Sequence, residues 1–287
     1  MSGLEPAPVL KMSGCECKPV RAQPSRIMKQ VLIVRACAIG DFVLNLPAIQ
    51  ALAHSLGGAE FTLIGYPATL GIAQWFVKVR AIHSIETPPW SILFNSTVPA
   101  LDFDLSIVWM KDAAFADNLR ASGLSNVVRA EPFPSFGHAG DHLLRTLKLA
   151  RPPLPDLWKP DTGEIIMHPG SGSPKKCWPY FDQLGKMLAN PLLLAGPNEG
   201  DYKTEHPVLR DLSLPEVVSR LRSCRAYIGN DSGITHLAAY IGCPTVALFG
   251  PTDPAVWGPI GRRARIIWKR PIESISAEEV TRALKVK

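Results

Sequence analysis

The chain alternates short apolar runs with segments whose apolar positions recur at helical spacing. The first apolar run, Val31–Arg35, leads into a Gly40-Asp41 turn, and FVLNLPAIQALAHSL then follows with a helical pattern. Short runs with few polar positions are typical of strands buried on both faces of a parallel sheet. Strands alternating with helices therefore predict an α/β chain with doubly wound parallel sheets.

The same pattern predicts most of the remaining elements. Strands are expected at 61–66, 81–86, 104–109, 164–170, 191–196, 226–229 and 245–250. Helices are expected at 68–77, 111–123, 138–150, 214–223, 234–242 and 276–285, and another is expected to start at Pro179. The alternation breaks once, after residue 150.

The break is RPPLPDLWKPDTG at 151–163, which holds four prolines and no periodicity and is typical of a linker. It divides the chain into an N-terminal Rossmann-like domain at 28–150 and a C-terminal one at 164–287. Residues 1–27 hold prolines and charges without an apolar core, and they are predicted to be a disordered extension. Two Rossmann-like halves around a Pro-rich hinge predict a ligand in the cleft between them.

Charge and composition narrow the class of protein. Lysine and arginine number 31 against 25 acidic residues, and this net charge of +6 favours an acidic partner such as phosphate or an anionic membrane, although many enzymes are as basic. The charges are scattered and not interleaved with aromatic residues, so no nucleic acid is predicted as a partner. The apolar runs are far shorter than a membrane span.

The cysteines and other ligand-forming residues point to neither disulfides nor a metal. Six cysteines are mostly single and in apolar surroundings, which favours buried, reduced thiols in a cytosolic protein. No group of His, Cys, Asp and Glu has the spacing of a metal site, so a reaction without metal is the simpler assumption.

Asp41 stands where the first predicted strand gives way to the first helix, at the carboxyl edge of the sheet. Its spacing alone favours a helix cap. The other interpretation is a carboxylate that projects into the cleft as a general base. The stretch lacks G-x-G-x-x-G, so a dinucleotide site is not predicted.

A second polar group, HPGSGSPKKCWPY, follows a predicted strand. Its residues Ser171, Gly172 and Ser173 can present N–H and hydroxyl donors to phosphate oxygens. Either Lys175 or Lys176 can stabilise a diphosphate. No Ser or Thr follows in the frame that a Walker loop requires, and an ordinary polar loop is the alternative interpretation.

The segment GNDSGITHLAAYIG places a strand end directly before a helix. Asp231 and Ser232 are favourable around a helix N-cap, and Gly233 lets the backbone approach a ligand. The free N–H groups of such a helix start attract phosphate. His236, on the helix, is by itself more often a hydrogen-bonded core residue than a ligand. Glu199, in AGPNEGD, can accept hydrogen bonds from ribose or sugar hydroxyls, or belong to a plain loop.

Together these motifs resemble the ADP-heptose:lipopolysaccharide heptosyltransferase family, glycosyltransferase family 9. The stretches that carry the resemblance are VLIVRACAIGDFVLNLPAIQAL, HPGSGSPKKCWP and GNDSGITHLAAYIGCPTVALFGPTDPAVWGP, and it runs from about residue 29 to the C-terminus. The resemblance implies a GT-B fold, in which two Rossmann-like domains face a cleft. The nucleotide-sugar donor would lie mainly on the C-terminal domain and the acceptor on the N-terminal one.

The resemblance also implies an activity and the residues for it. It implies an inverting transfer of heptose from ADP-heptose to a hydroxyl of a lipopolysaccharide-core or other saccharide acceptor, with no metal or cofactor. Such an enzyme works in the cytoplasm, and the basic charge is compatible with peripheral contact at the inner face of the bacterial inner membrane. Asp41 matches the general base, and Lys176 in the K-x-W-P frame matches the lysine that neutralises the departing diphosphate. The residues matched to donor binding are Ser171, Gly172, Ser173, Glu199, Asp231, Ser232, Gly233 and His236.

The chain departs from the family between Tyr66 and Pro134, where acceptor-binding territory is shorter than expected. An acceptor other than a lipopolysaccharide core therefore stays open. So do a transferase that uses another nucleotide sugar, an epimerase-like hydrolase, and a non-catalytic sugar-nucleotide binding protein. The intact Asp41 argues against the last, because binding alone needs no base at the cleft.

Overall fold

The computed structural model describes residues 28–99, 101–196, 199 and 202–285. The extension predicted at 1–27 lies outside these residues. The described chain contains two parallel sheets with helices on both faces, as the alternating pattern predicts.

The N-terminal sheet is built from five parallel strands. They are β1 (Lys29–Arg35), β2 (Ala59–Gly65), β3 (Val79–Ser84), β4 (Leu105–Trp109) and β5 (Val127–Ala130). The accompanying helices are α1 (Ile39–Ser55), α2 (Pro67–Leu70), α3 (Ala114–Ala121) and α4 (Ala139–Thr146). The strand order β3-β2-β1-β4-β5 puts a switch point between β1 and β4.

The C-terminal sheet repeats this plan with six parallel strands. They are β6 (Ile165–His168), β7 (Pro191–Ala195), β8 (Val208–Arg210), β9 (Ala226–Asn230), β10 (Thr245–Phe249) and β11 (Ala264–Trp268). The helices are α5 (Phe181–Lys186), α6 (Leu214–Ser223), α7 (Gly233–Ile241), α8 (Pro254–Trp257) and α9 (Ala277–Lys285). The order β11-β10-β9-β6-β7-β8 puts its switch point between β6 and β9.

Two parts of the secondary structure differ from the sequence pattern. The pattern does not predict β5, β8 and β11, which are short, half-buried strands at sheet edges. The single helix predicted at 68–77 is wrong: the four-residue α2 is followed by a 3-10 helix at Gly71–Trp75. A glycine at the junction disfavours a continuous α-helix there.

One apolar core runs through both domains, because α1 and α7 pack against each other. The contact is closest near the two helix starts. A Cβ atom placed on Gly233 would lie 2.7 Å from the Cβ atom of Ile39 and 3.0 Å from the backbone nitrogen of Gly40. Only a residue without a side chain fits at this crossing.

Further contacts join the domains along both sides of this helix pair. The Tyr240 hydroxyl donates to the Gln50 side chain, and its ring packs edge-on at 5.0 Å against Phe76. On the other side, His138 Nε2 donates to the carbonyl of Gly258 at 2.9 Å. The two sheets are therefore held with their carboxyl edges towards a common cleft.

The linker at 151–163 is bound to the C-terminal domain over part of its length. Leu157 N–H donates to the carbonyl of Ile241, and Lys159 N–H donates to the carbonyl of Arg222, each at 2.8 Å. These bonds fix that part of the predicted hinge to the ends of α7 and α6. The domain boundaries at 28–150 and 164–287 stay a prediction.

Candidate functional site

A cleft of about 340 Å³ lies at the carboxyl ends of both sheets, at their switch points. Open α/β sheets bind ligands at such points. The cleft brings together all of the predicted site residues except Ser173 and Glu199. Its lining is Ala38, Gly40, Asp41 and Leu44 from the N-terminal domain, and Ser171, Gly172, Lys176, Asp231, Ser232, Gly233, His236, Thr252 and Trp257 from the C-terminal domain.

Asp41 lies in the first turn of α1, with its side chain on the cleft. The helix begins at Ile39, one residue before the predicted Gly40-Asp41 turn, with Ala38 at the N-cap, and within the described chain no side chain caps it. The interpretation of Asp41 as a cap is therefore wrong. The Asp41 side chain therefore faces the cleft beside the positive end of the α1 dipole.

The start of α7 has the predicted form. Ser232 is the N-cap, and its hydroxyl oxygen accepts the N–H of Thr235 at 3.4 Å. The helix ends before Gly242, whose φ of 98° is in the left-handed region that favours glycine. Because Ser232 and Gly233 line the cleft, the positive end of this helix faces it.

Lys176 and Asp231 form an ion pair in the cleft, with Nζ 2.7 Å from Oδ2. His236 lies on the other side of the carboxylate, its Nε2 3.8 Å from Oδ1. Burial alone raises the pKa of Asp231, but hydrogen bonds from His236, Lys176 and Thr252 outweigh burial and lower that pKa to about 2. Asp231 is therefore a stable anion that holds Lys176 in place and is a poor general base.

His236 combines features of a core residue and of a site residue. It is buried and packs beside Gly40 of α1, where an added Cβ atom would lie 3.3 Å from its ring. Its Nδ1 has no hydrogen-bond partner among the described residues. The ring lies on the cleft lining, but Nδ1 itself is buried.

The loop after β6 is clamped onto the end of β9. Asn230 donates from Nδ2 to the carbonyl of Pro169 at 2.7 Å and accepts the N–H of Trp178 at 3.1 Å. The Ser171 hydroxyl donates to the carbonyl of Asp231 at 2.7 Å, so its proton is used within the protein and not offered to the cleft. Ser173 lies outside the lining, where its carbonyl accepts the N–H of Lys176 at 3.0 Å.

Glu199 lies behind the loop that follows β6 and not in the cleft lining. Its Oε2 accepts the N–H of Gly196 at 2.5 Å and lies 3.9 Å from Nε2 of His168. Its carboxylate occupies the space that a side chain on Gly170 would fill. Glu199 thus packs against the loop after β6 at Gly170, and the His168 ring at the end of β6 lies beside its carboxylate.

Several residues at the site were not predicted from the sequence. His168 ends β6, and Thr252 lies in the loop after β10, three residues beyond the end of that strand. A polar residue at the carboxyl end of a buried parallel strand is the signal that could have identified both. Trp257, in the four-residue α8, has no such signal because only the fold brings it to the cleft.

The described residues bear on three other features: a metal site, a membrane-spanning helix and a reactive thiol. Among them, no group of three or more His, Cys, Asp or Glu side chains could hold a metal ion. No helix in that part of the chain is long and apolar enough to cross a bilayer. Burial raises the pKa of the Cys37 thiol to about 12, which makes it a poor nucleophile. The described cysteines are free thiols, as predicted: Cys37, Cys177, Cys224 and Cys243.

Known proteins match this chain in sequence and in fold. The family Glycosyltransferase family 9 (heptosyltransferase) matches residues 88–287. Lipopolysaccharide heptosyltransferase 1 of Pseudomonas aeruginosa is 26% identical over 293 residues, which cover 81% of this chain and 82% of that protein.

Solved structures agree with the two-domain GT-B architecture. E. coli heptosyltransferase WaaC with ADP has a TM-score of 0.70 at 19% identity, covering 88% of this chain and 98% of its own. E. coli ADP-heptose lps heptosyltransferase II has a TM-score of 0.73 at 18% identity, covering 90% and 97%. Because the family match spans most of the sequence and the fold agrees, this chain belongs to glycosyltransferase family 9, the heptosyltransferases, and is a glycosyltransferase.

Proposed function

We propose that this protein is an inverting, metal-independent transferase that moves heptose from ADP-heptose to a hydroxyl of a lipopolysaccharide-core or other saccharide acceptor. The observation that carries the proposal is the convergence of Asp41 and Lys176 on one cleft from different domains. The donor is supported by the similar structures of E. coli heptosyltransferase WaaC with ADP and with ADP-2-deoxy-2-fluoro heptose.

In the proposed reaction, Asp41 takes the proton of the acceptor hydroxyl as that oxygen bonds to the anomeric carbon. The bond from this carbon to the diphosphate oxygen breaks on the opposite face, and its electron pair leaves with ADP. Lys176 and the positive end of α7 stabilise the charge that develops on the diphosphate. This supply of positive charge is why the scheme needs no metal.

The ion pair with Asp231 supports the role of Lys176. A lysine side chain is flexible and loses conformational freedom when it is fixed. Here the Nζ atom already lies 2.7 Å from Oδ2 of Asp231 and lines the cleft. In the proposal, the ammonium is positioned before the donor binds, while Asp231 itself contacts the donor sugar.

Features of the N-terminal domain support a saccharide acceptor with acidic substituents. Phe133 is 40% exposed, lies 6.0 Å from the cleft residue Trp257, and has the Nζ atom of Lys111 5.4 Å from its ring centre. An exposed ring beside a cation can pack against a sugar ring and attract an anionic group. The net charge of +6 supports a reaction in the cytoplasm at the inner face of a bacterial membrane.

The test compares Asp41→Asn with Asp117→Asn. The family match begins at residue 88 and does not include Asp41, so the role of Asp41 needs a direct test. Asp117 is a matched control that occupies the first turn of α3 as Asp41 occupies that of α1. Both variants are titrated calorimetrically with ADP, UDP and GDP in EDTA, and heptose transfer from ADP-heptose is assayed with saccharide acceptors. The anomeric configuration of the product is read by NMR.

Loss of a general base is expected to lower kcat by about 10²–10⁴-fold in Asp41→Asn, with unchanged ADP affinity. The Asp117→Asn control is expected to keep the wild-type kcat and the wild-type ADP affinity. Equal turnover by Asp41→Asn and wild type would refute the assignment of the base. Preference for UDP or GDP would refute the donor, and binding of ADP without any transfer would favour a binding protein.

A further inference from the structure

His168 lies buried at the carboxyl end of β6, between two residues of the proposed donor site. It is 6% exposed. Its Nδ1 lies 3.3 Å from the Ser232 hydroxyl oxygen, and its Nε2 lies 3.9 Å from Oε2 of Glu199. The imidazole ring therefore spans the gap between the start of α7 and the loop after β7.

The neighbours of this ring define its protonation state. Burial lowers the pKa of His168 to about 4, so the ring is neutral near pH 7 and carries one N–H and one acceptor nitrogen. The carboxylate of Glu199 favours the proton on Nε2. Nδ1 is then free to accept a hydrogen bond from the Ser232 hydroxyl.

Ser232 is anchored on its other side by a buried polar network. The Thr235 N–H donates to the Ser232 hydroxyl oxygen, and the Thr235 hydroxyl donates to the carbonyl of Asn230. The Tyr227 hydroxyl lies 3.1 Å from Oγ1 of Thr235. Thr235 and His168 thus both orient the Ser232 side chain.

Glu199 is positioned by two polar groups and by the space beside Gly170. The N–H of Gly196 binds its carboxylate, and the His168 ring attracts the same oxygen from another direction. A Cβ atom on Gly170 would overlap the carboxylate, so the absence of a side chain there leaves its space open. Removing the imidazole leaves Glu199 with only the Gly196 contact of these two.

We infer that His168 is a positioning residue that holds Glu199 and Ser232 in the arrangement that receives a nucleoside diphosphate. The inference rests on the proposed function, together with the roles that the family resemblance implies: Glu199 would bind the donor ribose, and the start of α7 at Ser232 would bind the diphosphate. His168 touches neither part of the donor itself. It acts on a site used equally in the ground state and the transition state, so its loss raises the KM for donor and leaves kcat nearly unchanged.

The test uses three substitutions that remove different parts of the ring. His168→Leu removes both nitrogens, His168→Asn keeps a polar group near the position of Nδ1, and His168→Gln keeps one near the position of Nε2. Each variant of the full chain is titrated with ADP, adenosine and inorganic diphosphate, and its thermal midpoint is measured. His206→Leu is the control, because that ring contacts the carbonyl of Asp182 in the same domain but lies outside the cleft.

His168→Leu is expected to bind ADP about tenfold more weakly than wild type, as loss of the hydrogen bond to Ser232 and of the approach to Glu199 implies. His168→Asn should recover diphosphate binding, His168→Gln should recover adenosine binding, and His206→Leu should bind ADP normally. Wild-type ADP affinity in His168→Leu would overturn the inference. An equal loss of adenosine and diphosphate affinity in all three variants would also overturn it, because a purely structural residue would have that effect. If the wild type binds no ADP, the proposed function itself fails.

Discussion

The close contact of α1 and α7 at Gly233 predicts how much stability is lost when a single methyl group is added at different glycines. A Cβ atom on Gly233 would approach Ile39 to 2.7 Å, whereas ordinary contacts begin at 3.4 Å. The helices must therefore separate by about 0.7 Å, the difference between these distances. A Cβ atom on Gly40 would come only to 3.3 Å of the His236 ring, and one on Gly71 would meet nothing within 4 Å.

The expected stabilities follow this order. Overpacking a tight contact costs about 1–3 kcal/mol, so Gly233→Ala should lower the free energy of unfolding by that amount. In Gly40→Ala, the gain of roughly 0.5–1 kcal/mol from alanine inside a helix offsets the mild contact, and the variant should be near neutral. Gly71→Ala is the control, expected to be as stable as wild type or slightly more so.

The same shift should also affect turnover, because Asp41 and Lys176 reach the cleft from opposite sides of this helix pair. A misplacement of about 1 Å can cost about 10²-fold in rate. The assays are urea unfolding followed by fluorescence and steady-state heptose transfer. A Gly233→Ala protein with the stability and kcat of Gly71→Ala would refute the reasoning that these domains are in rigid contact.

Three further predictions concern single contacts. Between pH 6.5 and about 4, His168 is protonated in the unfolded chain but not in the folded chain. The free energy of unfolding should therefore fall by about 3 kcal/mol as the pH falls through this range. In urea unfolding measured as a function of pH, His168→Asn should flatten this part of the curve. Gly170→Ala should displace the flexible Glu199 side chain, leaving the urea midpoint unchanged but weakening ADP binding about tenfold, with no further loss in the double variant with Glu199→Gln. Tyr240→Phe should cost about 1 kcal/mol in calorimetric unfolding by removing the hydrogen bond to Gln50, and an unchanged stability would mean that this bond contributes nothing.

The parts of the fold that the sequence predicts are those with strong local signals. The buried strands β1, β9 and β10 are apolar runs, and the Ser232 cap and Gly242 stop are encoded within α7 itself. The edge strands β5 and β11 were missed because each has one neighbour in the sheet and a half-buried face, which leaves little apolar pattern.

The details of the site depend on contacts between distant parts of the chain. The ion pair of Lys176 with Asp231 and the inward hydrogen bond of Ser171 join loops about 55–60 residues apart, and no local pattern reports such contacts. The sequence placed Asp41 at the right sheet edge but assigned the helix start to it. The actual N-cap, Ala38, has no polar capping side chain, so the usual N-cap signal was absent.

The apolar core shared by α1 and α7 has a consequence for engineering chimeric transferases. Exchanging whole domains between family members at the linker would pair an α1 with an α7 that did not evolve to fit it. A functional hybrid needs the two helix faces to be transplanted as one unit, including the glycine pair at their crossing and the Tyr240–Gln50 contact. The contact between α1 and α7, and not only the linker, therefore determines which N-terminal and C-terminal domains can be recombined.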